Sequence, residues 1–186
     1  MRGLNNLQKS VIQHSTDTEF ETPPLFFKTA TEQTNIFPQL DICATEQNKK
    51  CKLHFDKEQD AFNFEFELDL WANIPFGAKV TKPNLKKPMS KGLVAWVQRI
   101  HDQHKKHDIS ALTLLPLSAT IISKFYQSCE TWIIPKRITF YKNGKPDKFP
   151  ISKDLMLLAF RSKQNIIDTY FSCNDRIQQK LNILKI

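Results

Sequence analysis

Apolar and polar positions alternate in blocks along this 186-residue chain, and the blocks set the expected elements. Residues 1–17 are polar and aperiodic, with Asn5-Asn6 and Ser15-Thr16, and predict a poorly ordered arm, with order beginning near Phe20. In Phe20-Glu21-Thr22-Pro23-Pro24-Leu25-Phe26-Phe27, Thr22 is placed to cap a helix with Pro23 in its first turn and Phe26 and Phe27 facing the core. Gln39 to Ala44 reads as a short apolar strand with one acid inside it, Asp41, followed by the polar turn residues Thr45 to Asn48. Lys52-Leu53-His54-Phe55 reads as a second short strand, and Asp56, Glu58 and Asp60 behind it as a solvated loop. A longer β-prone run, Phe62 to Leu70, leads into Trp71-Ala72-Asn73-Ile74-Pro75-Phe76-Gly77, where asparagine, proline and glycine turn the backbone sharply. From Lys163 to Ile186 the apolar positions Ile166, Ile167, Tyr170, Phe171, Ile177, Leu181 and Leu184 keep a helical spacing. There is no internal repeat and no low-complexity tract.

Composition narrows the class. A hydrophobic content of 40% with only 4 glycines fits one globular domain with a real core. The net charge of +8 and pI near 9.3 favour a polyanionic partner, because lysine and arginine release counterions when they meet phosphates. Cys43, Cys51, Cys129 and Cys173 lie far apart in a sequence without an apolar leader or a run long enough to span a membrane, so a reduced, intracellular protein is expected. Cys43, Cys51 and His54 match no common zinc-knuckle spacing and read as small residues packed near a turn; no metal is expected. His101, His104 and His107 drift around the polar face of an amphipathic helix and are assigned no role.

The turn at Asn73 is where chemistry enters. An amide oxygen beside an aromatic ring suits a planar base: the oxygen accepts a hydrogen bond from an exocyclic amine while the ring stacks on the base, as in a pocket for a flipped-out nucleotide. Asp41, at the carboxyl end of an early strand, suits the amine or hydroxyls of a nucleotide-like cofactor, and is equally common as a helix cap. Lys79, Lys82, Lys86, Lys87 and Lys91 crowd a proline-broken stretch directly after the turn, placed either to touch phosphates or to be a solvated loop. Lys136, Arg137, Lys142, Lys145 and Lys148 form a second basic edge.

Taken in order, these signals resemble the phage-type DNA N-6-adenine-methyltransferase family of small Dam-like enzymes. The resemblance rests on Phe20-Glu21-Thr22-Pro23, Leu40-Asp41-Ile42-Cys43-Ala44-Thr45, Asn48-Lys49-Lys50-Cys51, His54-Phe55, Asp60-Ala61-Phe62 and Trp71-Ala72-Asn73-Ile74-Pro75-Phe76. The likeness continues through a Trp-Val helix at Ala95 to Ile100 and an apolar strand from Ala111 to Pro116. It ends in a closing hairpin made of Phe140 to Lys145, with its Asn143-Gly144 turn, and Asp154 to Phe160.

The resemblance implies an α/β, Rossmann-like S-adenosylmethionine-dependent methyltransferase fold, with a mostly parallel central sheet and an antiparallel C-terminal hairpin. The methyltransferase domain would span 18–162, after the arm of 1–17 and before a helical extension, 163–186, packed on it. The implied activity is methyl transfer to the exocyclic N6 amine of adenine in double-stranded DNA, in the cytoplasm of a prokaryotic or phage-infected cell. Thr22, Pro23, Asp41, Ala44 and Asp60 would hold S-adenosylmethionine, Asn73, Ile74, Pro75 and Phe76 would form the catalytic turn, and the loop lysines with Lys142 and Lys145 would meet DNA. RNA adenine methylation is a variant of the same chemistry, and a homodimer or partner subunit is left open.

Ile74 departs from the family's Asn-Pro-Pro-aromatic pattern. Isoleucine keeps the backbone carbonyl and Pro75 still favours extended geometry before it, but proline's fixed φ, about 0.4–1 kcal/mol of pre-organisation, is lost. An extra N–H also needs a partner. The competing class is therefore a catalytically degenerate, basic nucleic-acid-binding relative or non-catalytic subunit.

Overall fold

The computed structural model describes residues 20–56, 58–75, 92–170 and 172. The arm of 1–17, Phe76, the lysine-rich stretch through Lys91, Phe171 and all of 173–186 lie outside them. The chain order begins with helix α1 (Pro24–Thr34), β1 (Leu40–Asp41), β2 (Leu53–His54), a single 3₁₀ turn (Ala61–Asn63) and β3 (Leu70–Asn73). Helix α2 (Leu93–His107), β4 (Ala111–Pro116), α3 (Ala119–Phe125) and β5 (Glu130–Ile134) follow. The two-residue strands β6 (Tyr141–Lys142) and β7 (Lys145–Pro146) precede β8 (Leu155–Phe160), and residues 163–170 are helical. Six strands form one sheet in the order β2-β1-β3-β4-β8-β5. The first four run parallel, and β8 runs antiparallel to both of its neighbours. The protein is thus α/β with a mostly parallel sheet and an antiparallel pair toward its C-terminal end, as expected.

Alternation along the strands divides the core into two layers. Leu70, Ala72 and Ile74, with Ala111, Leu115, Met156, Leu158 and Phe160, bury one face under Val97 and Ile100 of α2 and Ile121 and Phe125 of α3. Trp71, Leu112, Leu114, Leu155 and Leu157 bury the other against Ala30 of α1, Ile36, Ile138 and Phe140. Phe27 meets Trp71 edge-on at 5.1 Å between ring centroids. Among the described residues no helix is long and apolar enough to cross a membrane.

Four local expectations change. Helix α1 begins one residue later than expected: Pro23 is its N-cap and Pro24 its first residue, so proline's fixed φ sets the start and no Thr22 hydroxyl caps it. The β-prone run Phe62 to Leu70 is strand only at its last residue. Its alternating aromatics serve tertiary contacts instead: Phe62 meets Trp96 edge-on, Phe64 stacks on Phe55, and the buried Phe66 donates its N–H to Gln103 Oε1 at 2.8 Å. Strand β8 takes β5 as its hairpin partner, while Tyr141–Pro146 folds into a ribbon of its own. Asn143 and Gly144 both have positive φ, 52° and 73°, which is the two-residue turn that matches strand twist. Finally, helix 163–170 meets the domain through polar groups. Asn165 Nδ2 donates to the Asn35 carbonyl and Arg161 reaches Glu130, Asn165 and the Thr34 carbonyl, while Ile166, Ile167 and Tyr170 are exposed.

Candidate functional site

From β1 the chain crosses to β2 on one side, then returns past β1 to β3 on the other. At such a reversal of strand order the carboxyl ends of neighbouring strands part, and open α/β sheets bind ligands in the crevice between them. A cleft lies there. Its β1 side is made by Asp41, Cys43 and Ala44 with Asn48 and Lys50 of the following turn; its β3 side by Trp71 and Asn73; and Phe20, Glu21 and Thr22 close a third side.

Asp41 stands opposite Trp71 in the sheet register, so its side chain shares a face with those of Trp71 and Asn73. It is 3% exposed, and its two oxygens accept main-chain N–H bonds from Cys43 at 3.2 Å and Lys50 at 3.0 Å. Burial pushes its carboxyl up to about 6, against the opposing pull of those N–H groups and of the Lys50 and His54 charges. Burial likewise raises the Cys43 thiol well above its ordinary range and takes Cys51 to about 12. Both remain neutral thiols, and no group of three metal-ligating side chains occurs among the described residues. His101, His104 and His107 are engaged separately, with Ser128, the Ile109 carbonyl and Glu65.

Asn73 ends β3. Its Nδ2 donates to the Phe20 carbonyl at 2.6 Å, fixing the amide plane, while its Oδ1 is buried without a donor among the described residues. The neighbouring Trp71 Nε1 is also buried without an acceptor. An unmade hydrogen bond of this kind costs about 1–3 kcal/mol, so two on one cleft mark a place where a ligand has something to satisfy. Ile74 answers the question its sequence raised. Its N–H donates to the Leu114 carbonyl at 3.3 Å and its side chain, 1% exposed, lies in the core.

Of the residues singled out from sequence, Thr22, Asp41, Ala44 and Asn73 meet in this cleft, with Pro23, Ile74 and Pro75 adjoining them in the chain. Asp60 does not line it; its carboxylate caps the 3₁₀ turn by accepting from the Phe62 N–H at 3.2 Å. Lys142 and Lys145 are exposed on the β6–β7 ribbon, which is hooked to the cleft wall: Glu21 and Tyr141 exchange two main-chain hydrogen bonds, and the Gly144 N–H reaches the Glu21 carboxylate. Sequence reasoning gave no role to Asn48 and Lys50. The signal was there, since a strand ending in an acid needs donors from the next turn.

An α/β protein with a cleft at its strand-order reversal, a buried carboxylate on one strand end and an Asn-Ile-Pro turn on the next, has the layout in which open α/β sheets bind ligands. More narrowly, the chain belongs to the DNA N-6-adenine-methyltransferase (Dam) family, whose model matches residues 9–180. No curated protein and no solved structure matches it.

Proposed function

We propose that the protein is an S-adenosylmethionine-dependent methyltransferase acting on the N6 amine of adenine in double-stranded DNA. The observation that carries this reading is the Asn73 Oδ1, a buried acceptor without a donor among the described residues, at the edge of the same cleft as the buried Asp41. The strand order, with one reversed strand near the edge, fits a Rossmann-like methyltransferase sheet. Asp41, with Thr22, Pro23 and Ala44, is the set that would hold the cofactor, and a carboxylate already paired with two N–H groups fits a cationic ligand group. Asp60 follows the β2 strand end and would stand farther along the same sheet edge.

When bound, S-adenosylmethionine supplies an electrophilic methyl carbon. The chain's own task is to make a poor nucleophile reactive, because the adenine amine has its lone pair delocalised into the ring. Asn73 Oδ1 would accept one of its N–H bonds and the Ile74 carbonyl the other, favouring a pyramidal nitrogen, with Phe76 stacking on the base. Positioning and charge stabilisation then lower the barrier without a base that must first deprotonate the amine. The bond from Ile74 N–H to Leu114 bears on the competing, degenerate reading, since the extra N–H that isoleucine brings has its partner in β4.

The test is transfer of labelled methyl into unmethylated DNA and RNA, with nucleoside analysis of the product. Label is expected in DNA N6-methyladenine, with Asn73→Ala lowering transfer by about 10²-fold or more, roughly 3 kcal/mol, while cofactor binding persists. Full activity in Asn73→Ala, or label confined to RNA or to cytosine, would overturn the assignment.

A further inference from the structure

A two-stranded ribbon, β6–β7, stands beside the cleft and takes no part in the reaction above. Its base is anchored: Ile138 and Phe140 are buried, the Phe140 ring meets that of Phe20 at 5.5 Å, and the Asp147 N–H closes on the Phe140 carbonyl at 2.7 Å. Glu21 holds the ribbon against the cleft wall, exchanging main-chain bonds with Tyr141 at 3.0 and 2.9 Å and taking the Gly144 N–H on its carboxylate at 3.2 Å. The residue before it, Phe20, receives the Asn73 amide on its carbonyl. Two residues of chain, Phe20 and Glu21, therefore join the ribbon to the group proposed to hold the adenine. The exposed tip, Asn143-Gly144, lies no more than about 20 Å from Asn73.

The exposed end is basic. Lys142 and Lys145 are partners across the ladder, so their side chains leave the same face. Like charges placed opposite each other cost stability, and an anion lying between them offsets that cost. From Lys136 to Pro150 there are five basic residues and one acid, Asp147. A two-stranded ribbon fits the major groove of B-form DNA, whereas the deep, narrow groove of A-form RNA excludes it. With the lysines on phosphates, the tip meets base edges, and the side chain there is an exposed asparagine, whose amide matches the N6 and N7 edge of adenine. We infer that the ribbon reads the DNA sequence beside the methylated adenine, with Asn143 selecting a second adenine within about six base-pair steps of it. The inference rests on reading the protein as a DNA methyltransferase, and it assigns the source of its sequence preference. Asparagine also suits the φ of 52° at this position; glycine suits it equally, which separates the two roles.

Mapping N6-methyladenine in unmethylated duplex DNA of random sequence, after treatment with the full chain and S-adenosylmethionine, gives the preference at each flanking base pair. Wild-type protein is expected to favour adenine about tenfold or more at one position on one side of the target. Asn143→Gly keeps the turn and should lose that preference, with those at other positions retained. Asn143→Asp should move it toward cytosine, whose N4 amine donates to a carboxylate. Lys142→Ala with Lys145→Ala should slow methylation of all sequences alike, and thermal melts check that every variant is folded. An unaltered preference in both Asn143 variants, or a wild-type protein that methylates DNA without flanking preference, overturns the assignment and leaves the methyltransferase standing. So does a changed oligomeric state of the free variants in light scattering, which would make the ribbon a contact between copies. A wild-type protein that leaves no label in DNA overturns the activity and the reading ribbon together.

Discussion

The two halves of the sheet are held together differently. On the cleft side, β2, β1 and β3 are two, two and four residues long, whereas β4, β8 and β5 have six, six and five. The long half rests on an unbroken main-chain ladder and, in β4 and β8, on side chains buried on both faces. In the short half, side chains replace ladder bonds: Asp41 ties down the turn after β1, Asp69 accepts from the Ser110 N–H at 2.6 Å, and Asn73 holds the Phe20 carbonyl. Polar groups at a binding edge cannot be packed away as hydrocarbon, so stability is concentrated where no ligand needs to enter.

The largest effect that would break this contrast comes from the long half. Phe160 is fully buried, and Phe160→Ala should lower folding stability by about 3–5 kcal/mol in urea unfolding. Asn73→Ala, which disables the proposed reaction, should instead leave the melting temperature within a few degrees of wild type. Comparable stability losses in both would dissolve the distinction.

Asp41 gives a smaller effect with a definite sign. Its folded-state pKa of about 6 lies above the ordinary 3.8, so its protonated form is the one folding favours. The stability it contributes is fully present below about pH 4 and lost as pH rises through 6, up to about 3 kcal/mol. Binding of a cationic ligand runs the other way, weakening as pH falls below 6. Asp41→Asn should flatten both profiles relative to wild type, read by melts and by calorimetry across pH 4–8; parallel profiles would show that Asp41 is not the titrating group. The smallest effect is at the ribbon. Lys142→Ala with Lys145→Ala should weaken DNA binding uniformly across sequences and reduce the salt slope by about 2, with cofactor affinity unchanged.

What the sequence made legible follows the same division. Asp41 was readable as the one acid inside a short apolar run and Asn73 as the polar residue ending another, and their meeting in one cleft follows from the parallel order of their strands. The Asn143-Gly144 turn was readable because positive φ at two successive positions leaves few residue choices. Strand β5 gave no signal of its own: it is an edge strand with Trp132 and Ile133 exposed, so no alternation marks a buried face. The run from Phe62 misled because its alternation is genuine but is used against α2 and Phe55. The spacing after Lys163 did mark a helix over 163–170, and there a polar position, Asn165, ties it to the Asn35 carbonyl.

The placement of β8 has a consequence for how the chain is made. It is the last of the described strands to be synthesised, yet it fills the gap between β4 and β5. Until Phe160 has left the ribosome, Ala111–Pro116 has one unpaired edge and Glu130–Ile134 has no neighbour at all, with Leu112, Leu114, Trp132 and Ile133 along them. Open edges of that composition attract other chains. The nascent protein is therefore most exposed to aggregation just before β8 emerges, and its half with the longer strands is the half that closes last.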